Sequence, residues 1–230
     1  MPARPSHRAR PDRSGVHHLQ SVPVRRALVR AAGLTAADRV FDLGAGPGTL
    51  TAELARTGAR VTAVERDPRY VDALRRRFGT RSHVRVVAAD IRAVRIPRDA
   101  RVVANLPFAA ASAVLALLLD PPGRPRAGID VLVEHGYGLR AAARLPRSPQ
   151  AALRAARYEI AVVARVPPSA FAPAPRVGAA HLRIRPRPPL DPPAERLLRT
   201  LLAAAYADPG RRAASVASRL AGRRAGPRAL

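Results

Sequence analysis

Cysteine is missing from the 230-residue chain, and so is lysine. The first absence excludes a disulfide framework, a thiolate metal site and a cysteine nucleophile, and it agrees with a cytoplasmic protein. The second means that all 41 basic side chains other than histidine are arginine, against only 16 acids, for a formal net charge of +25. A surface so short of acids attracts polyanions, and nucleic acid is the first candidate. Aromatic residues are only 3% of the chain, with no tryptophan. The apolar run "AAASAVLALLL" is too short for a membrane span and stops at Asp120 and Pro121. The N-terminal "MPARPSHRARPDR" has arginine but no apolar stretch of a secretory signal. Residues 1–14 read as a basic disordered arm, because proline and arginine build no core.

What is present is a regular alternation. "VPVRRALVRAAGL" has helical spacing and closes at Gly33; "RVFDLGAGPGTL" is an apolar strand running into a glycine-rich turn. "LTAELARTG" predicts a helix, "RVTAVERD" a strand, "PRYVDALRRRFG" a helix, and "VRVVAAD" and "ARVVANLPF" two more strands. "ASAVLALLLD" predicts a helix and "IDVLVEH" a fifth strand. Such alternation predicts βαβ units and a mostly parallel, Rossmann-like α/β sheet. "RYEIAVVARVP" and "AAHLRIRP" have no helix between them, which predicts an antiparallel pair at the sheet edge. After "RPRPPLDPP" a small C-terminal helical appendage is expected over residues 190–230, with two or more short helices and a basic face. Residues 15–189 would form the main domain.

The turn after the first of these strands is Gly44-Ala45-Gly46-Pro47-Gly48. Glycines allow a ligand close to the backbone, and the turn opens a helix whose N–H groups face that ligand. Glu65 ends the next strand, where a carboxylate can accept from both hydroxyls of a ribose. A dinucleotide would want its third glycine one position later, and Asp42, just before the loop, would oppose a pyrophosphate. The same carboxylate suits the ammonium of an amino acid. Asp90 closes the third strand and can accept from an adenine amine. Asp42, Gly44, Gly46, Glu65 and Asp90 together therefore favour S-adenosylmethionine over NAD.

The fourth strand ends in Asn105-Leu106-Pro107-Phe108. An exocyclic amine of a nucleobase is a poor nucleophile, because its lone pair is delocalised into the ring. The Asn105 side-chain oxygen and the Leu106 carbonyl could accept its hydrogens and aim the lone pair. Pro107 would fix the turn and Phe108 would stack on the base. In isolation the same four residues are an ordinary strand-ending turn with Phe108 in the core; their place after the cofactor set favours the catalytic reading.

The ordered motifs "FDLGAGPGTLT", "VTAVERD", "AAD", "VVANLPF" and "SAFAPAPRVGAAHLRI" resemble those of the ribosomal RNA adenine N6-methyltransferases. That family includes the Erm macrolide–lincosamide–streptogramin resistance enzymes and the KsgA-type dimethyltransferases. The resemblance implies a class I S-adenosylmethionine-dependent methyltransferase fold and N6-methylation of an adenosine flipped out of rRNA. It implies cofactor contacts at Leu19, Gly44, Glu65, Asp90 and Asn105. Phe108, where many relatives have tyrosine, and the short helical end are similar to Erm, which favours 23S rRNA over 16S rRNA. Where the family has a Q-N-F-L-like element, this chain has Val16-His17-His18-Leu19, with His17 in place of asparagine at the cofactor. Two adjacent histidines with no third ligand nearby do not make a metal site. The arginines of "RRALVR" and "GRRAASVASRLAGRR" are candidates for the RNA backbone. A monomer without membrane or metal partners is expected. A non-catalytic RNA-binding or transcription factor on the same fold is the alternative outside enzymes.

Overall fold

The computed structural model describes residues 17–120 and 127–207. The expected basic arm, Val16 and the arginine-rich block from Gly210 onward lie outside the described residues. In chain order the elements are β1 (His18–Leu19), α1 (Val22–Ala32), β2 (Arg39–Leu43), α2 (Thr49–Ala55), β3 (Arg60–Glu65), α3 (Pro68–Phe78), β4 (Val84–Ala88), β5 (Arg101–Asn105) and α4 (Phe108–Leu119). Then follow β6 (Ile129–Glu134), α5 (His135–Ala141), α6 (Pro149–Arg157), β7 (Tyr158–Val166), β8 (Phe171–Ala172), β9 (Ala179–Pro186) and α7 (Pro192–Ala207).

Local chemistry sets the element ends. α1 begins on Pro23 in its first turn and stops at Gly33, whose φ of 60° turns the chain left-handed while its N–H donates to the Arg30 carbonyl. α3 begins at Pro68 after Asp67, whose carboxylate accepts from the Arg69 N–H. Seven strands form one sheet in the order β4-β3-β2-β5-β6-β9-β7. The first five are parallel; β9 runs against both β6 and β7, giving the expected antiparallel pair at the edge. Alternation along β2 sends Val40 to one face and Phe41 and Leu43 to the other. One face packs on Leu28, Leu50, Leu54, Leu74 and Phe78 of α1 to α3; the other packs on Val114, Leu115 and Leu118 of α4.

Two features depart from the expectation. The chain does not pass directly from β6 to β7: α5 and α6 intervene. The Glu134 side chain caps α5 by accepting from the Gly136 and Tyr137 N–H groups, and Ser148 caps α6 by accepting from the Ala151 N–H. β1 and β8 form a separate two-stranded clasp, with His18 opposite Ala172 and Leu19 opposite Phe171. The described part of the C-terminal block is one 16-residue helix, α7, tied to the loop before α6 by the Tyr206 hydroxyl on the Pro146 carbonyl at 2.6 Å. No described helix is long and apolar enough to cross a membrane.

β2 is the switch point of the sheet, because its neighbours β3 and β5 lie on opposite sides and are reached in opposite directions. Ligand crevices in open α/β sheets form at the carboxyl ends of such strands.

Candidate functional site

Four strands bring their carboxyl ends to this crevice: β2 with the glycine loop, β3 with Glu65, β4 leading to Asp90, and β5 with Asn105. The glycine loop and the Asn105–Phe108 turn touch: a Cβ on Gly44 would stand 3.4 Å from Pro107 Cδ. Pro107 also starts α4, its φ of −55° suiting the helix entry.

Glu65 is 8% exposed and is held by three backbone donors: Gly46 N–H at 2.8 Å, Arg66 N–H at 2.8 Å and Asp67 N–H at 2.9 Å. It therefore shapes the loop as well as facing the crevice. Asp90 is gripped by the Arg92 fork at 2.9 and 2.8 Å, with Arg66 at 3.7 Å. That grip keeps its carboxyl far below the usual carboxylate range.

Asp42 is 1% exposed, and its Oδ2 accepts from the Thr51 hydroxyl at 2.7 Å. Burial pushes its carboxyl up to about 7; the Thr51 hydrogen bonds oppose the shift and the charge of Glu65 adds to it. The folded state then holds this proton more tightly than the unfolded chain. Asp42 thus contributes stability that is full below its unfolded value and is lost as pH rises through about 7. Between those limits the free protein is expected to lose a few kcal/mol relative to Asp42→Asn, read by urea unfolding across that pH interval. The His18 imidazole, pushed below its ordinary value mainly by burial, works in the opposite sense but is common to both proteins. Identical pH profiles for the two proteins would contradict the assignment.

Leu19 is buried, and its carbonyl accepts from Arg25 at 3.0 Å and from the Thr49 hydroxyl at 3.1 Å. Arg25 also reaches the Gln20 carbonyl at 2.6 Å, so this arginine of "RRALVR" holds the clasp rather than projecting to a partner. Next to Leu19, the His18 ring covers the glycine loop and its Nε2 is hydrogen-bonded to the Tyr70 hydroxyl at 2.9 Å. Gly46 has a φ of +52°, and a Cβ there would lie 2.9 Å from His18 Nδ1. Gly46→Ala is thus doubly penalised, by conformation and by collision. It is expected to weaken S-adenosylmethionine binding by more than about 1 kcal/mol in calorimetric titration; unchanged binding would mean that the loop has another way to approach the ligand.

Asn105 is the chain's single asparagine. Its Nδ2 donates to the His17 carbonyl at 2.8 Å. Its Oδ1 is buried and has no hydrogen-bond partner among the described residues. A buried acceptor without a donor costs on the order of 1–3 kcal/mol, which an incoming amine would relieve. Beside it, Phe108 meets His17 with ring centroids 5.5 Å apart and Phe171 edge-on at 6.4 Å. Sequence reasoning did not assign Tyr70, Thr51 or Phe171 to the site. Phe171 stood in the quoted "SAFAPAP" motif, whereas nothing in the pattern marks Tyr70. Among the described residues, no three His, Asp or Glu side chains converge as a metal would need.

A family model described as Ribosomal RNA adenine dimethylase matches residues 8–205. Over 175 residues the chain is 28% identical to an rRNA adenine N-6-methyltransferase of Bacillus licheniformis, covering 76% of this chain and 61% of that protein. Over 183 residues it is 38% identical to the Ribosomal RNA small subunit methyltransferase A of Gloeobacter violaceus, covering 76% of this chain and 67% of that protein. The chain thus spans 61% of the length of the Bacillus relative. The crystal structure of the 23S rRNA methyltransferase ErmE superposes with a TM-score of 0.78 at 24% identity, covering 88% of this chain and 84% of that one. A dimethyladenosine transferase from Plasmodium falciparum superposes at 0.71 with 19% identity, covering 83% of this chain and 71% of that one.

Proposed function

The chain belongs to the ribosomal RNA adenine dimethylase family, and on that premise we propose that it methylates the N6 amine of an adenosine in ribosomal RNA with S-adenosylmethionine as donor. The observation that carries the reading is the buried, donor-less Oδ1 of Asn105 at the end of β5. The residues present fit the donor: a loop at which Gly46 leaves no room for a Cβ, and carboxylates at the ends of β2, β3 and just beyond β4. Gly44, Gly46 and Leu19 would line it, with Glu65 toward ribose, Asp90 toward the adenine amine and Asp42 as the buried carboxyl behind the ammonium. When bound, S-adenosylmethionine supplies an electrophilic methyl on a sulfonium.

The chain's own residues then handle the acceptor. Asn105 Oδ1 and the Leu106 carbonyl accept the two hydrogens of the amine, which pulls its nitrogen toward a tetrahedral shape and frees the lone pair. Pro107 fixes the angle between the two acceptors, and Phe108 stacks on the base. Rate enhancement comes from positioning and charge complementarity. The adenosine must leave its stack to reach Phe108. The net charge of +25 supports RNA as the partner, since even complete pairing of the acids leaves that excess. A cytoplasmic site of action goes with this reading.

Within the family, Phe108 favours large-subunit (23S) rRNA and macrolide–lincosamide–streptogramin resistance. The small-subunit reading has its own support in the 38% identity to the Gloeobacter protein. Transfer of labelled methyl to purified 23S and 16S rRNA, with mapping of the modified adenosine, tests both. Label confined to 16S rRNA overturns the 23S reading; label in neither overturns methyl transfer and leaves an RNA-binding role.

A further inference from the structure

His17 directly precedes β1 and His18 opens it, and the two adjacent rings have different neighbours. His18 turns to the cofactor side: its ring lies over Gly46 and bonds to Tyr70. His17 stands against Phe108 at 5.5 Å with ring planes 53° apart. Its main-chain carbonyl takes the Asn105 Nδ2 hydrogen at 2.8 Å, so it also fixes which way that amide points. Its Nδ1 lies 2.9 Å from the Pro173 carbonyl. A carbonyl only accepts, so Nδ1 carries the hydrogen, and in the neutral ring the lone pair falls on Nε2.

We propose that His17 belongs to the acceptor-base side of the site, as a second wall set at an angle beside Phe108 and as an acceptor for a hydrogen on the edge of the adenine. The inference rests on the methyltransferase reading and reassigns a residue whose place in the sequence suggests the cofactor. Two of the chain's four phenylalanines, Phe108 and Phe171, already stand here. The imidazole extends that aromatic cluster, and the same residue's carbonyl holds the Asn105 amide whose Oδ1 has no donor among the described residues. The Pro173 bond, from the segment following β8, holds the ring at a set angle, so the clasp positions the wall.

The test separates the two substrates. Full-length wild type, His17→Ala, His17→Asn and His17→Phe are assayed for methyl transfer, with KM measured for S-adenosylmethionine and for rRNA separately. Affinity for S-adenosylmethionine alone is also measured by calorimetry. His17→Ala and His17→Asn are expected to raise KM for rRNA by roughly tenfold, the scale of a lost base–aromatic stack, while cofactor affinity stays within about twofold. His17→Phe restores the wall without the lone pair and is expected to recover most of the KM. An effect on cofactor affinity with KM for rRNA unchanged overturns the inference, as does a His17→Phe protein no better than His17→Ala. Wild type that methylates neither rRNA overturns the reading beneath it, and the inference falls with it.

Discussion

Asn105→Ala is expected to lower the rate of methyl transfer by about 10²–10³-fold, the usual cost of removing one fixed polar group from a transition-state site. Two functions disappear together. The Oδ1 acceptor is lost, and the His17 carbonyl, directly before β1, loses the donor that ties it to β5. Asn105→Asp separates them poorly but informatively: it keeps an acceptor and sets a second carboxylate oxygen against the His17 carbonyl, lone pair to lone pair. It is expected to be at least as defective as alanine. Single-turnover rates at saturating cofactor and RNA, with circular dichroism to verify the fold, make the measurement. A rate within about threefold of wild type would remove Asn105 from the chemistry.

Asp130→Ala is expected to cost about 3–5 kcal/mol of stability, the scale of breaking a buried ion pair from one side. Asp130 lies on β6, an interior strand between β5 and β9, and is fully buried. Arg185 reaches it at 2.7 Å, His181 Nε2 at 3.0 Å and Arg183 at 3.7 Å, all from β9. Burial alone would raise its carboxyl, but these donors outweigh that and hold it below its ordinary value. Arg185 also reaches the Ala31 carbonyl at 3.3 Å, near the end of α1, where Arg101 reaches the Ala32 carbonyl at 2.5 Å. Without Asp130, a partly buried guanidinium loses its counter-charge while still tied to the helix end. A domain of ordinary stability has only ~5–15 kcal/mol to lose. Asp130→Leu combined with Arg185→Met removes both charges and is expected to be much milder. Denaturant midpoints decide; equal loss in single and double variants would exclude the ion pair as the cause.

Much of this was legible in the residues because it follows from short-range rules. Glycines at 44, 46 and 48 each have positive φ, as a tight turn after a buried strand requires. β2, β3 and β5 announce themselves as apolar runs, and each carries a polar residue, Asp42, Glu65 or Asn105, at or next to its carboxyl end. The strand-like runs at 158–166 and 179–186 without an intervening α-helix gave the antiparallel edge. What escaped was short or non-local. α5 spans seven residues with two glycines, and its cap comes from the last residue of the preceding strand. α6 carries a start signal, Ser148-Pro149, but spans only nine residues, with Leu153 as its one large apolar side chain. β1 and β8 have two residues each, below any periodicity, and meet across more than half the chain. Without that pairing, and the Pro173 and Asn105 bonds beside it, the place of His17 against Phe108 has no basis, and a histidine in an asparagine's place reads only as a substitution at the cofactor.

That the chain has one asparagine has a spectroscopic consequence. Protein grown with isotopic nitrogen in asparagine alone carries one side-chain carboxamide resonance, and it comes from Asn105. Its two hydrogens are inequivalent: one is engaged by the His17 carbonyl, the other is not. Their frequency separation therefore reports whether the clasp is seated on the site. It can be followed through additions of cofactor and RNA, with no other resonance assigned.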